Sequence, residues 1–547
     1  MPCVDGSLWD HRTVTAVAER VVVDTAAPPM HPQRRITVPI SRQLLVPTAI
    51  AIVNAIVFLI ASPNVNDLAA ARARASAVSH GVGLTYWFSW FGGGSTPGNY
   101  SVLTPYLCAL LSAEVVAALA AVAVTALAAF ALRHTRYAAA ASGMATFTAG
   151  VNLWSGRVPF LLGAAFAVAA ILAVVQHRRW LAVFFTLASI AASPVSGAFL
   201  ALGLSGSLLM KSSRYRTISA ITIATVIAGL GVVAIAFGTP GPQGFGWSLF
   251  VEALLALAAM LVAKPHPQLR IVLMLSIAAA FVLVLVPNGM GSNFGRMIWF
   301  CLPVAVLATS ARRAWFALAL TVPVAVIGSS ATVKDLVQAG QPWASKAYYE
   351  PLGLELDRLS GLNNYRVEVV TQGAHNAYNA LLDHAMLARG WETQEDNALN
   401  ATLRAPNLDA TSFKIWLDNN SVGYVAFPRS KVETFPEYLL VAKHTPSYLH
   451  EVWESADWRL YRVTPSIPIV ASPASIISYS QAKLVIRSTC GCEFSVRIRY
   501  SRYLQATNIN KGAAPAVVVN DGYGFTSMTT PGPGDYVLHG TVVSLFR

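Results

Sequence analysis

Eleven apolar runs, separated by short connections, constrain this chain more than any other feature. The first, LLVPTAIAIVNAIVFLIA, begins at residue 44. The others cover roughly 103–132, 138–153, 158–175, 180–192, 196–210, 217–237, 247–263, 271–286, 298–310 and 314–329. A helix of about 20 apolar residues spans the ~30 Å hydrocarbon core of a bilayer. The sequence therefore predicts a mainly α polytopic membrane protein with about eleven transmembrane helices.

Composition and charge exclude two other classes of protein. Hydrophobic residues make up 55% of the chain and charged residues only 12%, which rules out a wholly soluble protein. The net charge of +13 would suit a nucleic-acid partner if the basic residues formed one soluble face. They lie mostly between the apolar runs instead, so the predicted partner is the lipid bilayer and not nucleic acid.

The basic clusters predict how the chain is oriented in the membrane. They occur at every second connection, at residues 133–136, 177–179, 211–216, 264–270 and 312–313. Lys and Arg are enriched in cytoplasmic loops, so these connections and the N-terminus are assigned to the cytoplasm. The eleventh crossing then places everything after about residue 332 outside. We expect a multi-pass protein of the inner (plasma) membrane.

These patterns divide the chain into four predicted regions. Residues 1–43 lack a sustained apolar period and are predicted to be a disordered cytoplasmic tail. Residues 44–331 form the transmembrane domain. Helix-like stretches alternate with short strand patterns over 332–465, which indicates an extracytoplasmic α/β domain. Alternating apolar and polar residues between turns over 466–547 indicate an extracytoplasmic β-sandwich.

Asp67 is the lone acid in the first outer loop, beside a cluster of aromatic residues. In one interpretation it caps the helix through LAAARARASAV, and the aromatic residues form an interfacial belt. In the other, Asp67 is a general base for a hydroxyl acceptor. Aromatic rings such as Trp87 and Trp90 would then stack on sugar faces.

Two further outer loops each carry an Asn and an Arg beside glycines. They are Asn152-Leu-Trp-Ser-Gly-Arg157 and Asn293-Phe-Gly-Arg296. Each guanidinium group could snorkel to lipid phosphates. Alternatively, the two arginines grip the phosphate of a lipid-linked substrate, which guanidinium geometry favours. Spacing alone leaves both interpretations open.

Two acids fall within apolar runs. Glu114 lies about 16 Å into the second crossing if that helix is continuous, and Glu252 lies nearer the outer end of its helix. An ionisable group inside a membrane is a candidate functional site, here a proton or cation pathway. The alternative is that each is protonated or bonded to a neighbouring helix. Ser193-Pro194 interrupts another run and predicts a re-entrant bend or two short helices.

Metal and thiol chemistry receive little support from the sequence. Cys490 and Cys492 either close a small disulfide or remain two thiols. No second Cys/His pair lies at ligand spacing, so no metal ligands are predicted, although a divalent cation stays open as a cofactor. Phosphate-binding Gly-rich loops, nucleophile elbows and HExxH patterns are absent from the sequence.

Several motifs together resemble the GT-C superfamily of polytopic membrane glycosyltransferases, particularly its actinobacterial integral membrane proteins. The resemblance lies in YWFSWFGGG (residues 86–94), TPGNYS (96–101), NLWSGRVPF (152–160), Val452-Trp453 and Trp458-Arg459-Leu460-Tyr461. It extends over most of the chain from residue 44 onward. The family often has a paired acidic motif in the first outer loop, where this chain has Asp67 alone.

The resemblance implies transfer of a sugar from a polyprenyl-phosphate donor to a cell-envelope glycan acceptor. Asp67 would be the catalytic base, Arg157 and Arg296 would hold the donor phosphate, and the C-terminal β domain would hold the acceptor. The predicted substrate-binding residues are His80, Trp87, Trp90, Asn99, Tyr100, Asn152, Trp154, Arg157, Asn293 and Arg296. A transporter or flippase using Glu114 and Glu252, or a non-catalytic envelope scaffold, are the alternative functions.

Overall fold

The computed structural model describes residues 40–370, 376–430, 435–510 and 512–541. The tail predicted over residues 1–43 lies outside them except for its last four residues, which belong to the first helix. The α-helices are α1 (Ile40–Ala61), α2 (Asn66–Ser79), α3 (Thr104–Leu111), α4 (Ala113–Leu132), α5 (Ala138–Trp154), α6 (Val158–Val175), α7 (Arg179–Ala192), α8 (Pro194–Leu209), α9 (Arg216–Phe237), α10 (Trp247–Val262), α11 (Pro267–Leu285), α12 (Leu302–Thr309), α13 (Ala314–Gly328), α14 (Ser330–Ala339), α15 (Glu350–Arg358), α16 (Asn376–Leu381), α17 (Thr393–Leu399), α18 (Ala401–Arg404), α19 (Ala410–Asn419) and α20 (Pro436–Lys443).

The helical part has the character of a membrane protein. Within the described ranges, seven helical segments are long and apolar enough to cross a bilayer. They are Arg42–Ala61, Ala113–Leu132, Val158–Val175, Arg216–Phe237, Pro267–Leu285, Gly291–Thr309 and Ala314–Ala339. Three shorter apolar helices accompany them, namely Arg179–Ala192, Pro194–Leu209 and Trp247–Val262. The predicted mainly α membrane protein is therefore confirmed.

Two helix breaks are notable, one inside the predicted second crossing and one between the predicted fifth and sixth crossings. Ser112, with a φ of 77°, separates α3 from α4, and its side chain caps α4 by accepting a hydrogen bond from the Val115 amide. Ser193 adopts an extended conformation between α7 and α8, with Pro194 at the start of α8. Proline is favoured in the first turn of a helix, whereas in the interior it removes a backbone hydrogen bond. Of the two alternatives predicted at Ser193-Pro194, a re-entrant bend or two short helices, the structure has two helices, of 14 and 16 residues.

The five basic connections lie together at one end of the helical bundle. Contacts join each of them to another: Arg136 to Ala311, Ala311 to Lys264, Gln268 to Ser213, and the His177 ring to the Tyr215 ring. Alternate connections of an up-and-down bundle emerge at the same end. The spacing of the basic clusters in the sequence is therefore matched by their positions in the structure.

The region after α14 contains a four-stranded sheet with helices around it. Its strands are β1 (Arg366–Val369), β2 (Val422–Pro428), β3 (Leu449–Glu454) and β4 (Trp458–Val463), in the order β1-β2-β4-β3. β1 and β2 are parallel, whereas β4 pairs antiparallel with both of its neighbours. All seven residues of β2 are buried. A strand that is covered on both faces has a continuous run of apolar residues, as the β2 sequence VGYVAFP has.

The helix-like stretch over residues 377–391 is only partly helical. α16 ends at Leu381, and Leu387 then forms a parallel bridge with Val367 of β1. Two backbone hydrogen bonds hold this bridge, from the Val367 amide to Met386 and from the Ala388 amide to Val367. Pairing with the sheet edge outweighs the helical pattern of the local sequence.

The last part of the described chain is rich in β-structure. Its strands are β5 (Ala474–Ser480), β6 (Lys483–Ser488), β7 (Glu493–Arg499), β8 (Leu504–Asn508), β9 (Val517–Asn520), β10 (Phe525–Thr529) and β11 (Gly534–Gly540). They form a four-stranded sheet, β5-β6-β11-β8, and a three-stranded sheet, β7-β10-β9, both antiparallel. Buried and less buried residues alternate along β6 and β7, as the predicted period of two requires.

The loop between α2 and α3 is part of the core of both regions that follow α14. Trp87 and Trp90 belong to the apolar cluster of the α/β region. Tyr86 and Phe88 belong to the cluster that both β-sheets share. Successive side chains of an extended segment point to opposite sides, which separates Trp87 from its neighbours Tyr86 and Phe88. A turn at residues 88–89 then brings Trp90 to the same side as Trp87. This loop therefore links the helical bundle to everything that follows α14.

Candidate functional site

Asp67 lies between two arginines that come from distant parts of the chain. It occupies the first turn of α2, and its carboxylate Oδ2 lies 3.8 Å from Arg157 Nε and 3.8 Å from Arg296 Nη2. These separations permit ion pairing but exceed the 2.7–2.9 Å typical of charge-assisted hydrogen bonds. The Asp67 side chain is 34% exposed. The structure thus brings together the three charged residues that the sequence analysis singled out.

The expected capping role of Asp67 takes a different form. Val65 is the N-cap residue of α2, and no side chain forms the cap hydrogen bond. Asp67 lies two residues further on, in the first turn, where a negative charge is favoured by the partial positive charge of the helix N-terminus. Its carboxylate therefore remains directed toward the arginines.

The SGR turn between α5 and α6 positions Arg157. Gly156 has a φ of +70°, and a Cβ atom there would lie 2.6 Å from the backbone nitrogen of Leu68. Only glycine allows this turn to approach the start of α2 so closely. Arg157 Nη1 also donates a hydrogen bond of 3.3 Å to the buried side chain of Asn152. Asn152, which is 2% exposed, therefore helps to orient the arginine.

The Arg157 side chain is only 11% exposed, and its charge is not fully compensated. Burial, and secondly the nearby Arg296, lower the pKa of its guanidinium group to about 10. Its Nε has no hydrogen-bond partner among the described residues. A buried donor without a partner is destabilising. An anionic ligand reaching Arg157 would satisfy this donor and offset the repulsion between the two guanidinium groups.

Arg296 packs against an aromatic ring of α6. Its guanidinium carbon lies 5.3 Å from the centre of the Phe160 ring. It precedes a π-helical turn, Met297–Cys301, a feature that occurs frequently at functional sites. Nearby Asn293 donates a hydrogen bond of 2.8 Å to Gln243. Asn293 thus holds the outer loop over residues 239–246 against the turn that carries Arg296.

Asp335 is a second acid near this site that the sequence analysis missed. It lies on α14, and its Oδ2 accepts a hydrogen bond of 2.9 Å from Ser155, two residues before Arg157. It is close enough to interact electrostatically with Asp67 and Arg157. α14 begins directly after the last predicted crossing, and nothing in its local sequence connects it to residue 67.

A cavity of about 680 Å³ opens beside these charged residues. Arg296, Asn293 and Asn99 line it, together with the break between α7 and α8. Asp67 and Arg74 line a narrower pocket, which shares Tyr100 and Pro159 with the large cavity. Ligand cavities typically measure about 300–1,000 Å³. The acid therefore lies where a molecule bound in the cavity could reach it.

Tyr100 forms the boundary between the two spaces. Burial raises the pKa of its hydroxyl, which therefore remains protonated and able to donate a hydrogen bond. The Arg74 guanidinium carbon lies 3.9 Å from the centre of its ring. Arg74 is in turn paired with the buried Glu392 of the α/β region. The Asn99 side chain forms a hydrogen bond with Glu395 of α17, the helix that begins directly after Glu392.

The prediction that Trp87 and Trp90 contact a sugar was wrong. Their rings are 1% and 0% exposed and stack on each other at 4.3 Å. Trp87 Nε1 donates a hydrogen bond to Gln481. Neither ring has a free face for a ligand, and neither forms an interfacial belt. Burial of their large apolar surfaces stabilises the join between the loop and the outer region.

Two other predicted substrate contacts, His80 and Trp154, bond to neighbouring protein groups. His80 follows the last turn of α2, thirteen residues beyond Asp67 or about 20 Å along the helix axis, and its ring pairs with the Ser76 carbonyl. Trp154 donates a hydrogen bond of 2.9 Å to Asn54 and packs edge-on against Phe58. The Trp154 ring is thus engaged with α1.

Glu114 and Glu252, the two acids within apolar runs, differ in their contacts. Glu114 lies in the first turn of α4 because the helix breaks at Ser112, so the depth expected of a continuous helix does not apply. Its Oε1 accepts a hydrogen bond of 2.6 Å from Arg72 of α2. Glu252 is exposed on α10, and no described side chain pairs with it. The structure therefore gives Glu114 a bonded partner outside its own helix.

Neither a metal centre nor a known family accompanies this site. Within the described ranges, no group of three or more His, Cys, Asp or Glu side chains could hold a metal ion. Cys490 and Cys492 are joined in a disulfide, far along the chain in the β-rich region. No protein-family model matches the sequence, and no curated protein shows significant similarity to it.

Proposed function

We propose that this protein is a membrane glycosyltransferase of the GT-C type, which moves a sugar from a polyprenyl-phosphate donor to a cell-envelope glycan. The observation that carries this proposal is the Asp67 carboxylate lying 3.8 Å from both Arg157 and Arg296, beside a cavity of about 680 Å³. One base and two cations are the groups that displacement of a phosphate from a sugar carbon requires.

The proposed reaction assigns one role to each charged group. Arg157 and Arg296 bind the donor phosphate, which takes over their interaction with Asp67. The acceptor hydroxyl oxygen forms a bond to the anomeric carbon as the bond from that carbon to the phosphate oxygen breaks. Polyprenyl phosphate leaves with the electron pair, stabilised by both guanidinium groups. Asp67, released from them, accepts the proton of the attacking hydroxyl.

The lining of the cavity suits an amphipathic donor. Phe160, Val195 and Leu230 contribute apolar surface, whereas Asn99 and Arg296 contribute polar groups. A prenyl chain would contact the apolar wall, and the phosphate would lie at the charged end. The break between α7 and α8 widens this space, since helix interruptions at membrane depth occur where they line a cavity.

We infer that the reaction takes place on the extracytoplasmic side of the plasma membrane. The five basic connections group at one end of the bundle, which the positive-inside rule assigns to the cytoplasm. The proposed topology has eleven crossings and a cytoplasmic N-terminus. It places Asp67, the α/β region and a β-sandwich outside, where the β-sandwich holds the glycan acceptor.

Asp67→Asn tests the proposed base. The change keeps the size of the side chain but removes its proton-accepting charge, so sugar transfer should fall by about 10²- to 10⁴-fold. Transfer is measured with purified protein in vesicles containing lipid-linked sugars, and by glycosyl-linkage analysis of envelopes from a deletion strain carrying each variant. Glu252→Gln, at an exposed acid of α10, is the matched control and should restore the missing linkage.

Two results would contradict the proposal. If deletion of the gene leaves every envelope linkage unchanged, the transferase function is wrong. If Asp67→Asn restores a lost linkage as fully as the wild type, Asp67 is not the base. Arg157→Gln provides a second test. Loss of this phosphate-binding group should weaken both sugar transfer and the binding of sugar-free polyprenyl phosphate.

A further inference from the structure

The β-rich region contacts the bundle at the end of a helix that is long enough to cross a bilayer. Arg502 and Tyr503, between β7 and β8, both donate hydrogen bonds to the Ala236 carbonyl in the last turn of α9. Arg502 also donates a bond of 2.6 Å to the Ile235 carbonyl. The 22 residues of α9 extend for about 33 Å, slightly more than the hydrocarbon core. The contact with Arg502 therefore lies at the boundary between hydrocarbon and water.

Strand pairing places the β9–β10 turn, residues 521–524, at this same end of the β-rich region. β10 is antiparallel to β7, and Phe525 at the start of β10 pairs with Arg499 at the end of β7. The next residue, Tyr500, donates a backbone hydrogen bond of 3.0 Å to the last residue of the turn. Residue 502 follows two positions later, so the turn lies beside the contact with α9.

The neighbouring connections at this end are covered by the rest of the protein. The turn between β5 and β6 and the end of β11 lie at the same end of the sheets. Gln481, in the first of them, accepts a hydrogen bond from Trp87. A Cβ atom on Gly540, in the second, would lie 2.7 Å from the Cβ of Tyr86. The β9–β10 turn differs, because residues 522–524 are all exposed.

The β9–β10 turn holds an aromatic ring outward in a defined conformation. The Asp521 carboxylate accepts hydrogen bonds from the amides of Tyr523 and Phe525, at 2.8 Å and 3.0 Å. The Asn520 side chain accepts another from the Gly522 amide. Side-chain bonds to the backbone of this kind stabilise turns. The Tyr523 side chain, at the tip, is 89% exposed.

The surface beside this turn is surrounded by lipid on the side of α9. The buried residues of α9 end at Val226, and none of residues 227–237 is buried. The connection after α9 leads to Trp247, the first residue of α10, which is 64% exposed. Tyr and Trp are enriched where hydrocarbon meets the lipid headgroups, because their rings are apolar and their polar ends stay hydrated. Trp247 and Tyr523 fit this pattern.

We propose that the β9–β10 turn is a membrane anchor, in which Tyr523 inserts into the headgroup region of the bilayer beside α9. The partner is phospholipid. The ring loses contact with water while its hydroxyl group reaches the polar headgroups. Arg502, at the end of α9, lies at a depth where arginine side chains reach lipid phosphates. This anchor fixes the β-rich region against the membrane and does not depend on the proposed sugar transfer.

Photo-crosslinking of the full-length protein in phospholipid vesicles tests this inference. The photoreactive amino acid p-benzoylphenylalanine is introduced at position 523 or, as the matched control, at position 529. Thr529 is exposed on the same hairpin, at the far end of β10 and about 13 Å from the turn. After irradiation, mass spectrometry should detect phospholipid adducts at position 523 and none at position 529.

The anchor is refuted if position 523 yields no lipid adduct, if both positions yield equal amounts, or if position 523 crosslinks to another protein chain instead. Tyr523→Trp checks the result with a side chain close in size to the native one. Lipids with a spin label near the headgroup should quench the fluorescence added by Tyr523→Trp but not that added by Thr529→Trp. Equal quenching of the two, or none at position 523, also overturns the proposal.

Discussion

Replacing Gly156 with alanine should disturb the site through the backbone, without changing any charged group. A Cβ atom at this position would lie 2.6 Å from both the nitrogen and the Cβ of Leu68, and 2.9 Å from its Cα. Ordinary carbon contacts are about 3.5–4.0 Å, so Leu68 and the turn must separate by about 1 Å. The φ of +70° adds about 1–2 kcal/mol of strain for alanine.

The expected loss combines this strain with overpacking, which typically costs about 1–3 kcal/mol. Gly156→Ala should therefore lower the free energy of unfolding by about 3 kcal/mol. Because Leu68 follows Asp67 directly and Arg157 follows Gly156, the same movement displaces the carboxylate from the arginine. A misplacement of about 1 Å can reduce an enzymatic rate about 10²-fold.

Thermal unfolding in detergent and sugar transfer in vesicles measure the two effects separately. Gly143→Ala is the matched control, since it lies on the exposed face of α5 with no atom within 4 Å of a new Cβ. Helical glycine is less stable than alanine, so this control should be neutral or stabilising. Equal stability and equal transfer in the two variants would refute the argument from close approach.

Two further predictions concern buried charges of the outer region. Arg366 donates hydrogen bonds to the backbone carbonyls of Gly92, Asn420 and Arg497. Each buried acceptor left without a donor costs about 1–3 kcal/mol, so Arg366→Met should lower the free energy of unfolding by about 3 kcal/mol or more. Denaturant unfolding checks this against Arg358→Met, whose side chain is 75% exposed; equal losses would contradict it. Burial, and secondly Glu392, raise the pKa of Glu395 to about 8 from the ordinary 4.5. The proton that stabilises the folded state is thus lost as pH rises through 8, and wild type should lose stability relative to Glu395→Gln between pH 5 and 8; a difference that is constant with pH would refute this.

The charged site shows which of its residues can be identified from residue type alone. An arginine among glycines in a loop that is otherwise poor in basic residues is unusual, and so is a single acid in a long loop. These features identified Arg157, Arg296 and Asp67 one by one from the sequence. Their separations of 3.8 Å could not be predicted, because they depend on how three connections pack together. Asp335 carried no local signal, since it reaches the site only through the packing of α14.

The aromatic cluster shows where the same reasoning failed. Tyr, Trp and Phe residues beside a glycine-rich turn are equally suited to a sugar site, a membrane interface or a buried core. The stacking of Trp87 on Trp90 and their full burial follow from contacts with residues some 250 to 390 positions later in the chain. Local sequence does not contain that information.

The sequence by itself indicated that this is a membrane protein and in which order its helical, α/β and β-rich regions follow one another. Long apolar runs must lie in a bilayer or a core, because transferring charges and unpaired backbone groups into hydrocarbon is unfavourable. Connections with clustered basic residues alternate with connections that carry few of them. Only the tertiary structure decided which polar residues meet. Contacts between residues hundreds of positions apart arise from packing of whole helices and sheets, and these contacts convert scattered polar residues into one candidate site beside a cavity.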